Sequence, residues 1–174
     1  LGEVDTAFSD LPAEVLQASM KEHQKFFSLK NSKTGKIERF ITVANIEAAD
    51  NGETILKGNQ KVLYARLSDA KFFWENDIRL IQKDGLDAWL GKLVNVTFHN
   101  KLGSQADKVT RVSALTKILA KRLFCDIEDA VKSANICKSD LASEMVYEFP
   151  ELQGVMGRYY ALSAGYSQDV AKVC

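Results

Sequence analysis

Apolar and polar positions along this chain change their rhythm once, near residue 50. Before that point the apolar residues fall in short clusters. Pro12 suits a first helical position, and Val15, Leu16 and Met20 give a short apolar face that reaches as far as His23. Lys25 to Leu29 and Arg39 to Ile46 are rich in Phe, Ile, Val and Thr. The polar stretch NSKTGK between them places Gly35 at a turn, so the two runs predict a β-hairpin. Two strands alone are marginal in water, so the hairpin is expected to pair with further strands outside this sequence or to lie on the helices that follow.

From Glu53 onward the period is helical. Leu63, Leu67, Ala70, Trp74, Ile78 and Ile81 step by three or four and predict one continuous buried stripe. Ser104 and Asp107 have the spacing of a capping box, opening a helix whose Val112, Leu115, Leu119 and Leu123 are expected to face inward. Asp126 is placed to cap a helix ending near Ile136, and Ser139 to cap the next. Val94 to Phe98, VNVTF, has strand propensity, but Leu90, Leu93 and Val94 continue a helical spacing and favour helix. Further on, Asp140, Glu144 and Glu148 predict a carboxylate ladder along one helix face, with Leu141, Met145 and Phe149 as the adjoining buried stripe. Pro150 closes that helix or opens the next. Gly154 and Gly157 are expected on one side of the second helix, where another backbone comes close. The pattern as a whole predicts a mostly α (α+β) chain. Residues 1–50 hold a helix and β-hairpin of a partial α/β domain, and residues 51–174 form a helical domain.

Composition adds bounds. At 174 residues the chain is long enough to bury a core, and 46% apolar with 26% charged residues is ordinary for a globular protein. Lys plus Arg and Asp plus Glu number 23 each, so any contact with nucleic acid has to be local rather than spread over the surface. No apolar run approaches the roughly 18 residues of a membrane span, and no signal-peptide pattern is visible. Cys125, Cys137 and Cys174 are odd in number and have no Cys-x-x-Cys spacing, which fits reduced thiols in a cytoplasmic protein better than disulfides or a zinc site. The chain opens at Leu1 and stops mid-pattern at Cys174, and so reads as an excised internal fragment.

Four blocks together resemble the β subunit of the bacterial two-subunit glycyl-tRNA synthetase. They are VANIE (Val43 to Glu47), GNQKVLYARLSDAKFFWEND (Gly58 to Asp77), LGSQADKVTR (Leu102 to Arg111) and KSDLASEMVYEFPELQGVMGRYYA (Lys138 to Ala161), in the order the family has them. The resemblance runs from about Leu11 to Ala161. It implies a partner α subunit that carries the class II catalytic core and activates glycine with ATP and Mg2+. The β subunit then supplies recognition of tRNA(Gly), with no catalytic residue, cofactor or metal expected in this stretch. It also implies that Asp84 to Cys174 is similar to the helical HD-domain superfamily. An active HD site needs a His, an adjacent His-Asp pair and a later Asp. Here His99 is followed by Asn100 and the only other histidine is His23, so the alternative function, a metal-dependent HD-type phosphohydrolase, lacks its ligand set.

The remaining candidates divide by chemistry. Lys57 and Lys61, one helical turn apart, with Arg66 beyond them, and the pair Lys108 and Arg111, are the cations placed to neutralise tRNA phosphates. Lys71 with Glu75, or Asp107 with Arg111, would serve as intrahelical pairs instead. Lys117, Lys121 and Arg122 form a third basic cluster. His99 reads as a hydrogen-bonded structural histidine before a metal or RNA ligand. The acidic ladder reads as a solvated face or internal ion pairs before a site for a partner's arginines or a cation. Gly154 and Gly157 lack the flanking lysines of an RNA-binding GxxG loop. Of the aromatic triplet, Trp74 lies on the buried stripe and Phe72 off it.

Overall fold

The computed structural model describes the backbone of all 174 residues and every side chain except that of His23. The chain is mostly helical with a little sheet. It divides into two compact units, Leu1–Trp74 and Glu75–Cys174. The long helix α2 (Glu53–Asp84) starts where the sequence changes its rhythm and runs through the boundary.

In the first unit, β1 (Gly2–Glu3) is followed by α1 (Ala13–Ala18), a π-helical turn over Ser19–His23, and the hairpin β2 (Phe27–Lys30) and β3 (Ile37–Ile41). The sheet order is β1-β3-β2, all antiparallel. Asn31 opens the hairpin loop by accepting the Lys33 N–H at 2.9 Å on its side chain, and Gly35 supplies the left-handed residue at φ +69°. The predicted hairpin is therefore present. The strand expected to reach Ile46 stops at Ile41, and Val43 and Ile46 are exposed. The partner of the hairpin is within the chain: β1 pairs Gly2 with Phe40. Gly2 is required there, since a Cβ would come within 2.3 Å of the Phe40 ring. Phe40 is fully buried and stacks on Phe26 at 4.8 Å between centroids. Val15, Leu16 and Met20 are buried as the helical spacing predicts, as are Leu63, Leu67 and Ala70 of α2. Lys71 donates to the Ala7 carbonyl at 2.9 Å, pinning α2 to the turn around Thr6–Phe8.

In the second unit, the end of α2 is followed by α3 (Asp87–Lys92) and the small hairpin β4 (Thr97–His99) and β5 (Gly103–Ser104). Then come α4 (Gln105–Arg122), α5 (Ile127–Ile136), α6 (Glu144–Glu148), α7 (Val155–Ser163) and α8 (Gln168–Ala171). The capping box holds as predicted: Asp107 N–H donates to Ser104 Oγ, and Ser104 N–H to Asp107 Oδ2 at 2.8 Å. Asp126 caps α5 through the Asp129 N–H. The core gathers Trp89, Leu93, Ile136, Met145, Phe149, Met156 and Tyr160.

Five expectations for this unit are corrected. Val94 to Phe98 is not helix; a 3-10 turn over Leu93–Asn95 leads into β4, where strand propensity prevails once Gly103 allows a tight return. Val112, Leu115, Leu119 and Leu123 do not face inward; they are exposed, and Val109 and Ala120 make the buried side of α4. Asp140, Glu144 and Glu148 do not form one ladder. Asp140 sits in a 3-10 turn over Ser139–Ala142, the backbone extends at Ser143, and only then does α6 begin. Ser143, not Ser139, is the cap, accepting the Val146 N–H at 3.0 Å, while Ser139 donates to the Ile136 carbonyl. Finally, Gly154 precedes α7 at φ +82° rather than lying on it. The expected close approach is met at both: an added Cβ at Gly154 would fall 2.9 Å from the Cys174 backbone carbonyl oxygen, and one at Gly157 would fall 2.7 Å from the Cys174 Cβ, beside the Asp140 side chain.

Candidate nucleic-acid interface and a buried carboxylate anchor

The five predicted phosphate contacts separate by helix face. At about 100° per residue, Leu63, Leu67 and Ala70 set the buried direction of α2. Lys57 and Lys61 lie together on one exposed side, and Arg66 lies on the other flank of the buried stripe, half-buried. Lys57 is held by Glu53 at 2.7 Å, an exposed i,i+4 pair that a phosphate could displace at small cost. The helix thus brings Lys57 and Lys61 together and leaves Arg66 apart.

In the second unit, Lys108 and Arg111 share one side of α4. Lys108 is half-buried, its ammonium 4.3 Å from the centroid of the Phe98 ring on β4. Arg111 is exposed and lowers the pKa of Asp107 slightly, behind the larger effect of the Ser104 hydrogen bonds. Both cations adjoin the exposed Val112 and Leu115. His99 is exposed, and its Nδ1 accepts the Lys101 N–H at 3.1 Å, as a structural histidine would. Among the described residues no group of three His, Cys, Asp or Glu side chains is placed to hold a metal ion. All three cysteines are free thiols. Phe72 is exposed and meets Phe73 edge-on, while Trp74 is half-buried.

The most tightly organised polar groups were not legible as such. Asp77 lies on the apolar stripe of α2 and is 1% exposed. Its Oδ1 accepts the Glu144 N–H at 3.1 Å. Its Oδ2 accepts the Met145 N–H at 3.1 Å and the Tyr160 hydroxyl at 2.6 Å. One carboxylate therefore ties α2 to the start of α6 and to α7, supplying acceptors for N–H groups that a helix start leaves unpaired. Trp89 packs edge-on against Tyr160 at 5.1 Å and closes the anchor from the side of α3. The second buried carboxylate, Asp140, accepts from the backbone N–H groups of Gly154 and Gly157, at the entry and first turn of α7. Its Oδ1 is buried with no partner among the described residues. These groups clamp helices together; neither lines a described cavity.

Burial pushes the carboxyls of Asp77 and Asp140 up from the ordinary range, outweighing the hydrogen bonds that favour their charged forms. A carboxyl raised in the folded state binds more protons folded than unfolded in the window above its ordinary pKa. Stability therefore falls as pH climbs from near 4 through that window. Asp140→Asn keeps an acceptor for the two glycine N–H groups and removes the charge. Urea midpoints of this variant are expected to vary less between about pH 4.5 and 7 than those of the parent chain. An unchanged pH slope would remove Asp140 from the account.

The whole chain, residues 1–174, matches the sequence profile of the family described as glycyl-tRNA synthetase beta subunit. It is 62% identical over 175 residues to the glycine–tRNA ligase beta subunit of Ruegeria sp. (strain TM1040), covering 100% of this chain and 26% of that protein. The beta subunit from Paracoccus denitrificans (strain Pd 1222) is 60% identical over 98% of this chain and 25% of its own length. That from Dinoroseobacter shibae is 59% identical over 99% of this chain and 24% of its own length. The chain thus spans about a quarter of the length of these relatives. A match over every residue, with identity far above what a shared fold alone requires, places this chain in the glycyl-tRNA synthetase beta subunit family.

Proposed function

We propose that the chain acts as part of a glycine–tRNA ligase, within a β subunit that recognises tRNA(Gly) and scaffolds a partner α subunit. In this reading catalysis resides in the α subunit, which uses ATP and Mg2+ there, and the assembly works in the cytoplasm. The observation that carries the reading is the family match over the whole chain. No chemical step is assigned to these side chains. No helix of the described residues is long and apolar enough to cross a membrane.

Within this reading, Lys57 and Lys61 are the phosphate contacts best supported by position. They are adjacent on one exposed side of α2, and the ion pair of Lys57 is weak enough to exchange partners. Arg66, half-buried on the opposite flank, would reach a different phosphate. Lys108 and Arg111 remain candidates, but their apolar neighbours fit a protein surface as well as they fit RNA.

The test is tRNA binding by the assembled two-subunit enzyme carrying Lys57→Ala and Lys61→Ala. Affinity is expected to fall, and the slope of log K against log salt to flatten by roughly one unit per lost contact, while glycine activation stays intact. Unchanged affinity with unchanged slope would show that these lysines only solvate the helix.

A further inference from the structure

α4 carries an apolar face that its own unit leaves uncovered. Val109 and Ala120 mark its buried side. Running away from that side, Leu123 is 69% exposed, Leu119 46% and Leu115 56%, and Phe124, just past the helix end, is 97% exposed. Leu115, Leu119 and Leu123 follow one another at successive turns, so this is a continuous seam and not scattered surface leucines. Cations bracket it. Lys108 and Arg111 lie on that side at the N-terminal end of the helix and Arg122 at the C-terminal end, by the same angular spacing. The helix as a whole carries Lys108, Arg111, Lys117, Lys121 and Arg122 against the one carboxylate of Asp107, which is engaged in the capping box.

Two occupants fit this surface poorly. A second copy packed on the same face sets cation against cation in either direction, Arg122 against Lys108 and Arg111 when antiparallel, or each against its own equivalent when parallel. RNA would satisfy the cations, but Leu115, Leu119 and Leu123 have no ring on which a base can stack; Phe98 already meets Lys108, and Phe124 is a single ring past the helix end, with no second ring on the seam to continue a stack. A helix with an aliphatic stripe and carboxylates towards both ends satisfies seam and charges together.

We propose that α4 is the docking face for such an acidic amphipathic helix, contributed by the part of the β-subunit polypeptide that lies outside the residues of this chain. The relatives are about four times as long as this chain, which covers 24–26% of them. A segment of the same polypeptide is presented at an effective concentration in the millimolar range, so a seam of a few side chains suffices to hold it. The proposal rests on family membership alone and stands apart from the tRNA reading; it assigns Lys108 and Arg111 to carboxylates.

The test is hydrogen exchange, read by mass spectrometry over residues 112–127, in the 174-residue chain and in the full-length β-subunit polypeptide that contains it. Exchange across Leu115 to Phe124 is expected to be at least about tenfold slower in the longer polypeptide, with neither α subunit nor tRNA added. Leu115→Glu with Leu119→Glu is expected to abolish that difference and to leave the circular dichroism of the 174-residue chain unchanged, since both leucines are exposed in it. Equal exchange in the two polypeptides overturns the proposal. So does protection that appears only with the α subunit, only with tRNA, or only in proportion to the concentration of the chain, each of which identifies a different occupant.

Discussion

Asp77→Ala is expected to cost the protein about 3–5 kcal/mol of stability and to lower its melting temperature by on the order of 10 °C. The substitution removes three hydrogen bonds at once: the buried Met145 N–H loses its acceptor, and the part-buried Glu144 N–H and the Tyr160 hydroxyl each lose one partner. The unmade bonds, more than the lost attraction, set the magnitude. Asp77→Asn tests this directly. Its one carbonyl oxygen can serve part of the set while its amide is a donor facing donors, so it should recover only a fraction of the loss. Because the carboxyl is raised by burial, the charge itself carries a desolvation cost at neutral pH, and the Asn variant is relieved of that. Urea denaturation of the two variants beside the parent measures both effects. A loss below about 1 kcal/mol for Asp77→Ala would mean that the helix N–H groups find other acceptors, and the anchor would be incidental.

Trp89→Ala should be of similar size, about 3–5 kcal/mol, by a different mechanism. Trp89 is 1% exposed and is the largest fully buried side chain. Its removal leaves a cavity bounded by Tyr160, whose ring it meets edge-on, and by a backbone held in place by the Asp77 anchor. Such a site collapses poorly, which places the cost toward the upper end of the range for aromatic truncation. The two losses should not add. Tyr160 touches both Trp89 and Asp77, so the double substitution is expected to cost less than the sum, with a coupling of about 0.5–3 kcal/mol. Strict additivity would show that ring packing and carboxylate anchoring are independent, and a loss under about 2 kcal/mol for Trp89→Ala would show that the surrounding helices close over the gap.

The elements read correctly from the sequence were those decided within a few residues. Ser104 and Asp107 satisfy each other across one turn, and Asp126 caps α5 through Asp129, so the local pattern already holds all the partners. The hairpin between Phe27 and Ile41 is of the same kind. The errors share one cause, that a helical period tells which residues lie on one side and is silent on what covers that side. The side bearing Leu115, Leu119 and Leu123 reads as core because it is apolar, yet the unit packs against Val109 and Ala120. Asp77 is illegible in the sequence because a polar residue on an apolar stripe makes sense only with its partners in view, and these stand 67 to 83 positions away. The ladder of Asp140, Glu144 and Glu148 failed at Ser143, where a good capping residue restarts the helix and breaks the spacing. β1 was illegible because two residues carry no period. For the candidate interface, the adjacency of Lys57 and Lys61 was visible in their spacing. The separation of Arg66 needed the buried direction of α2 to be known.

The placement of β2 at the rim of its sheet bears on how the protein behaves when concentrated. A free sheet edge is a template on which a like edge can stack, and growth from one copy to the next is the first step toward insoluble assemblies. This edge is poorly made for that. It is four residues long, its register slips between Leu29 and Lys30, and Lys25 and Lys30 set a positive charge at each end. Two such edges brought side by side would meet lysine with lysine and a kink with a kink. The exposed Phe27 is thereby kept from seeding aggregates, and the lysines that guard it do so without touching the core.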